Sequence, residues 1–381
     1  MTEVLVNQVK IAALGVGGAG LSRVTRLKKL GVSTVRTIGL DTDSASLKKA
    51  DVDEVIPMGE LLHHQGTGGF IELGAQCAQS NKPRICTALA GSDIVFLLAG
   101  LGGGTGSGAL PAISQFAKEN SRLTIAIVTT PFAGERARVP KALDTLQKIK
   151  NICDTVIVLD NNKMVKFMPN LSIEETFLIM DQLIADLVRS TADFLLKPTL
   201  SKLELDDVIS IFANGGFGTV LYGEASSQFP SEIIYEVLNH PLFDIPFESI
   251  SRALILIRGS ASLELKGASQ IGRRLLHELQ LTENVAMGAS NESRIENRIK
   301  LILVAAGIDP EHFLNQIKKP LPIHPLELAP SRAGAGRIIV GSETPQEQKP
   351  VESGYSSEGS ALSEQDLKQQ TEHYSEESED A

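Results

Sequence analysis

GGGTGSG at Gly102–Gly108 follows the apolar run DIVFLLAGL (Asp93–Leu101) and precedes a helix-like segment, Ala109–Asn120. The heptad therefore occupies a strand-to-helix turn, and that placement carries more weight than its five glycines. A turn at the carboxyl end of a buried strand aims several backbone N–H groups, together with the positive end of a helix dipole, at one spot that suits a phosphate. Glycine lets the backbone approach such a group closely, and Thr105 and Ser107 add hydroxyl donors. A flexible linker, the bland account of a Gly-rich run, would not be wedged between a strand and a helix. No Lys follows in GxxxxGK[ST] spacing, so the loop is not of the Walker A type.

Toward the N-terminus, VKIAALGV (Val9–Val16) reads as a buried strand leading into Gly15-Val16-Gly17-Gly18-Ala19-Gly20 and a helix with Leu21, Val24 and Leu27 on one face. Asp41 ends the next strand, TVRTIGLD, about 20 residues on, which matches a dinucleotide-binding fingerprint. An NAD-dependent oxidoreductase is therefore one reading. The second glycine loop favours another: a dehydrogenase has no need of GGGTGSG further along the sheet, whereas a triphosphate site assembled from several loops does.

Further strands are predicted near Glu54–Gly59, Asp93–Leu101, Leu123–Pro131 and Thr155–Asp160, with helices between, which implies a parallel sheet covered on both faces. Ligands of such sheets bind at the carboxyl ends of the strands, where both glycine loops lie. Ser172 and Glu175 form a capping box opening a helix that runs to Pro198, with apolar residues at three- and four-residue spacing, a rod of about 37 Å. Beyond a loop at Thr199–Asp207 and a helical start at Val208, the runs TVLYGEA, RALILIRG, NVAMGAS and RIKLILVAAG predict a smaller α/β region ending near Gly307. From Asp309 the composition turns to Pro, Ser, Glu and Gln, which cannot bury enough apolar surface to offset ordering, so this tail is expected to be disordered. Its one apolar patch, Arg337–Val340, is a partner-docking strand, an added strand of the second region, or chance.

The chain has 381 residues, 42% hydrophobic and 22% charged, the composition of an ordinary globular protein of two to three domains. No apolar run is long enough to span a bilayer and no signal-peptide pattern opens the chain, so a cytoplasmic location without direct membrane insertion is expected. Cys77, Cys86 and Cys153 form no CxxC pair and read as core thiols. From Glu343 onward eleven acids face two lysines, so nearly all of the formal charge of −10 belongs to the tail. The body carries no basic excess, and nucleic-acid binding is not expected.

The heptad within AGLGGGTGSGALP (Ala99–Pro111) resembles the signature loop of the tubulin and FtsZ superfamily, on the FtsZ side, and the resemblance runs from about residue 9 to 307. It implies an α/β protein: a Rossmann-like parallel-sheet GTPase domain (1–170), a long central helix (171–198), a smaller α/β C-terminal domain for assembly and activation (199–308), and a linker with a disordered acidic tail (309–381). It implies phosphate contacts at Gly17, Gly18, Ala19 and Gly20, with Ser22 where the family often has Asn. Asp41-Thr42-Asp43 stands for the family's Asn-Thr-Asp. The third loop, usually GLGAGAN, reads His64-Gln65-Gly66-Thr67-Gly68-Gly69-Phe70. The signature loop matches at Gly102, Gly103, Gly104, Thr105 and Gly106. In Pro131–Arg138, Glu135 takes the ribose position and Arg138 or Arg136 the arginine. Asn161 fits the Asn that follows the strand ending at Asp160. Phe177 and Asp181 match the pair that stacks on guanine and accepts hydrogen bonds from its N1–H and 2-amino group, donors that adenine does not offer together.

The resemblance also implies that an Asn-x-Asp-x-x-Asp loop of one subunit enters the nucleotide site of the next. Here the stretch is Lys202-Leu203-Glu204-Leu205-Asp206-Asp207. Asp207 and Glu204 are the expected catalytic acids, able to orient or deprotonate a water. Without the resemblance, such acids at a helix start read as a cap. Lys202 either stabilises developing charge or silences the site. The expectation is a GTP/GDP- and Mg²⁺-dependent GTPase that forms head-to-tail homopolymers for cell division or cell shape, with an adaptor at the membrane reached through the tail and no protein metal cage. The alternative is a GTP-dependent scaffold that does not hydrolyse.

Overall fold

Aliphatic and β-branched runs become strands buried on both faces, and the amphipathic segments between them become the covering helices. In the computed structural model, residues 8–309 are described, apart from 168–169, 241, 243–244 and 293–294. The order is β1 (Ile11–Val16), α1 (Gly17–Lys29), β2 (Val35–Asp41), α2 (Ser44–Lys48), β3 (Glu54–Pro57), α3 (Ile71–Ser80), α4 (Lys82–Leu89), β4 (Ile94–Gly100), α5 (Gly104–Asn120), β5 (Leu123–Thr130), α6 (Val139–Ile149), β6 (Thr155–Asp160) and α7 (Asn161–Phe167). There follow α8 (Ile173–Leu196), α9 (Leu205–Phe212), β7 (Gly216–Ser226), α10 (Glu232–Leu238), β8 (Arg252–Gly259), α11 (Leu265–Glu278), β9 (Val285–Asn291) and β10 (Arg298–Ile308).

The strands line up as β3-β2-β1-β4-β5-β6-β7-β10-β8-β9. β1 to β6 pair in parallel, and the order reverses between β1 and β4. Helices after these two strands leave toward opposite faces, which opens a crevice at the carboxyl ends where ligands of doubly wound sheets bind. β7 adds to β6 in parallel (Thr155 beside Gly216), so the second region continues the same sheet; β10 then pairs antiparallel with both β7 and β8.

α8 starts at the expected capping box: the Ser172 Oγ accepts from Glu175 N–H at 3.1 Å and Glu175 accepts from Ser172 N–H at 2.8 Å. Its apolar stripe, from Met180 through Ile184, Leu187 and Val188 to Phe194, joins one of two cores; Leu110, Ile113 and Phe116 of α5 join the other. Two boundaries differ from the sequence reading. α5 begins at Gly104, so most of the glycine run is helix, and α9 begins at Leu205 rather than Val208 because acids cap it. The disordered tail and the Arg337–Val340 patch expected from the sequence lie outside the described residues. Among the described residues no helix is long and apolar enough to cross a membrane.

Candidate functional site

The two glycine loops sit on adjacent strands and touch. A Cβ on Gly17, which holds φ +72°, would lie 3.1 Å from the Gly106 amide nitrogen, and one on Gly106 would lie 2.4 Å from the Gly100 carbonyl oxygen. Only glycine permits this approach. The third loop closes on the second, since a Cβ on Gly104 would meet Thr67 Oγ1. Gly68, beside the Phe70 ring, follows in the same loop, and its neighbour Gly69 accepts from Lys141 Nζ at 2.7 Å. The first intrahelical bond at the start of α5 runs from Ser107 N–H to Gly103 O, so the amides of Gly104, Thr105 and Gly106 face out of the first turn. Ser107 itself is buried and its hydroxyl accepts from Gly102 N–H at 2.7 Å, bracing the loop from inside.

Around this centre the other loops of the carboxyl edge converge. Thr42 and Thr105 share a hydroxyl–hydroxyl hydrogen bond of 2.7 Å, joining the ends of β2 and β4. Asp41 accepts from Thr42 N–H at 2.7 Å and Asp43 N–H at 3.3 Å, and burial pushes its carboxyl above the usual range. It is folded into its own loop. Ala19 packs against Gly100, and Arg138 against Gly102. Glu135 accepts from Phe132 N–H at 3.0 Å and pairs with Arg138 at 2.6 Å. Phe177, 42% exposed, stands with its ring centroid 5.5 Å from that of Phe132, forming an aromatic plate at the start of α8. Asp181, one turn further, is buried and accepts from Ser22 Oγ at 2.5 Å and Arg23 Nε at 3.3 Å. Sequence reasoning missed Arg23. The signal was a basic residue four positions before Leu27, in phase with the apolar stripe of α1.

Two observations test whether this edge fits a nucleotide. A Cβ on Gly18 or Gly103 would meet nothing within 4 Å, so the backbone there borders a cradle open to an approaching group. Asn161, at the end of β6, is buried with an Oδ1 that accepts no hydrogen bond. Buried acceptors are rarely left so, and this one suits a ligand hydroxyl or amine.

Glu204 and Asp207 are elsewhere. α9 leads into β7 at the end where Thr155 of β6 pairs with Gly216, and Asp206 pairs at 3.1 Å with Arg122, which immediately precedes β5. This is the amino edge of the parallel strands. The eight residues of β5 separate it from the carboxyl edge by about 26 Å. Ser201 and Ala289 exchange backbone hydrogen bonds of 3.0 and 3.2 Å, and Leu203 is buried, which fixes the loop and leaves Lys202 and Glu204 exposed. Glu204 and Asp207 form a capping box, in which each carboxylate accepts from the other's backbone N–H; the bond from Glu204 N–H to Asp207 is 2.8 Å.

The family model described as Tubulin/FtsZ family, GTPase domain, matches residues 10–169, and that of the FtsZ family, C-terminal domain, matches residues 216–309. Cell division protein FtsZ 2 of Methanocaldococcus jannaschii is 34% identical over 324 residues, covering 84% of this chain and 85% of the relative. The chain belongs to the FtsZ family. An empty FtsZ dimer from M. jannaschii superposes with a TM-score of 0.75 at 31% identity, over 79% of this chain and 89% of that one. CetZ2 of Haloferax volcanii, solved as a GTPγS-bound protofilament, shares the fold at TM-score 0.66 and 20% identity, over 81% and 97% of the two chains. The first matched region is thus an FtsZ GTPase domain, and the oxidoreductase reading of Gly15–Gly20 with Asp41 falls away.

Proposed function

We propose that this FtsZ-family chain binds GTP across the carboxyl edge of its parallel sheet, assembles head-to-tail with copies of itself, and hydrolyses GTP at the junction. The observation that carries the proposal is the separation of the glycine loops from Glu204 and Asp207 by the length of β5. An acid about 26 Å away cannot act on a nucleotide held in its own subunit, whereas a second copy stacked carboxyl edge to amino edge brings one within reach. Such a contact is heterologous and propagates into a filament.

In this arrangement the amides of Gly17–Gly20 and Gly103–Gly106 hold the phosphates, with Thr42 and Gly68 at their margin. Glu135 and Arg138 flank the ribose beside Asn161. Phe177 stacks on the base and Asp181 accepts from it. Mg²⁺ would be held chiefly through phosphate oxygens and water, its usual habit; among the described residues no three His, Cys, Asp or Glu side chains gather into a cage. Asp207, with Glu204, orients the attacking water. A role in division is supported by the relatives' names, with shape control the alternative; the protein would act in the cytoplasm, at mid-cell or a membrane-associated ring, and the tail beyond residue 309 would reach a membrane adaptor.

Phosphate release measured against protein concentration, with Mg²⁺ and with EDTA, tests the proposal. A specific rate that climbs above a threshold concentration is expected. Bound GTP without release at any concentration would favour the scaffold reading, which the exposed Lys202 and the mutual capping of both acids support.

A further inference from the structure

Asp181 is gripped by a residue outside the motifs that mark this site. Arg23 is 2% exposed on the second turn of α1; it donates from Nε to Asp181 Oδ1 at 3.3 Å and from Nη2 to Thr129 Oγ1 at 2.6 Å. Ser22, its neighbour, donates to the other carboxylate oxygen. α1 and α8 thus meet on one carboxylate, and β5 holds the guanidinium that grips it. A buried ion pair is a poor device for stability, because desolvation of both partners offsets their attraction. Here the guanidinium Nη1 has no hydrogen bond at all. Burial works to neutralise both ends of the pair, lowering Arg23 and raising Asp181, and each charge opposes the loss of the other.

We propose that Arg23, anchored on Thr129, is a positioning residue for base selection: it fixes the Asp181 carboxylate so that its unused acceptor positions meet the N1–H and 2-amino group of guanine. The inference rests on the reading that the base lies at Asp181. The carboxylate has about four acceptor positions, and Ser22 and Arg23 occupy one on each oxygen, which leaves one on each for the base. Thr129 connects this clamp to the phosphate side, because its backbone oxygen accepts from Leu101 N–H at 2.9 Å, at the start of the signature loop. The charged groups facing Asp181 are Arg23 and Arg26, both on α1, and Arg26 is itself bonded to Gln182 at 2.7 Å. Without Arg23 the largest charge that opposes the effect of burial on Asp181 is gone, which favours protonation of the carboxylate and, with it, a donor where the base needs an acceptor.

Equilibrium dialysis of GTP and ATP with the full chain, between about pH 6 and about pH 8, tests this in wild type, Arg23→Gln, Arg23→Lys, Thr129→Val and Asp181→Asn. In Arg23→Gln the preference for GTP over ATP is expected to fall about tenfold or more at neutral pH and further as pH drops, while wild type stays flat. Arg23→Lys should restore the flat profile, and Thr129→Val should lower the preference with the charge in place. An unchanged preference and profile in Arg23→Gln, whatever its melting temperature, overturns the inference. If Arg23→Gln does not fold, an unchanged preference in Thr129→Val overturns it equally. Asp181→Asn separates the two levels: if it too leaves the preference intact, the base is read elsewhere and the placement of guanine fails.

Discussion

At the carboxyl edge of the sheet the chain presents backbone amides and glycines packed so closely that a single methyl group collides with a neighbouring loop. At the amino edge, near β5 and β7, it presents side chains on an exposed helix start. Where the first surface is constrained by packing, as at Gly17, Gly104 and Gly106, the chain keeps the glycines of the FtsZ pattern. The second has its side chains exposed, so under the proposed junction only a partner would constrain them, and it is there that Lys202 and Glu204 stand in place of the family's Asn and Asp. A residue that packing fixes is informative about the fold, whereas one that packing leaves free is informative about the reaction.

The largest effect that could break this contrast is at Asp207. Asp207→Ala should leave GTP affinity unchanged and reduce phosphate release by about 10²- to 10⁴-fold, the range for losing a general base. Asp207→Asn sharpens the result, because an amide oxygen can still accept from Glu204 N–H and keep the cap. Equal loss in both variants assigns the effect to the carboxylate; normal turnover in Asp207→Asn would show that the cap was what mattered.

Acid should act with opposite sign on the nucleotide edge and on the C-terminal region around α10. His240, buried near α10 with Nδ1 accepting from Leu242 N–H, is pushed down to about 4 by desolvation. The unfolded chain therefore binds its proton first, and stability falls as pH drops from about 6.5 to about 4, by about 3 kcal/mol in total. Asp41 and Asp181, at the nucleotide edge, are pushed up by burial, so their contribution runs the other way and grows as pH falls toward the ordinary carboxylate range. Thermal melts of wild type and His240→Gln at several pH values should show a shallower acid loss in the variant; parallel curves would mean that His240 is not buried neutral.

Much of the carboxyl edge was legible because glycines at strand ends are a local pattern with few other uses, and the capping box of Ser172 and Glu175 marked α8 for the same reason. His64 shows how the pattern can be met with other residues: it holds φ 60° where the family has glycine, at the cost of a left-handed backbone. The grip of Arg23 on Asp181 was not legible, since 158 residues separate the partners and periodicity reports only which face of α1 is buried. Nor was the distance between Asp207 and the glycine loops, which depends on which edge of the sheet β7 joins.

A smaller effect separates the two kinds of glycine. Gly106→Ala forces a methyl against the Gly100 carbonyl and should lower stability by about 1–3 kcal/mol, seen as an earlier melt without nucleotide. Gly103→Ala meets open space and should melt like wild type yet bind GTP more weakly. Equal melting of the two variants would mean that the first turn of α5 does not press on the end of β4 as described.

The smallest effect concerns the amino edge itself. Arg122 and Asp206 are 56% and 85% exposed, so their ion pair is worth about 0–1 kcal/mol and less in salt. Arg122→Ala should therefore barely move the melting temperature. Its informative readout is assembly: Arg122 lies on the surface that would meet the next subunit's nucleotide. If that surface is a junction, the threshold concentration for phosphate release rises in Arg122→Ala while the rate per assembled subunit holds. A threshold and rate both equal to wild type would confine the junction to residues on the far side of the 201–207 loop, and would leave Lys202 as the cation nearest the incoming phosphates.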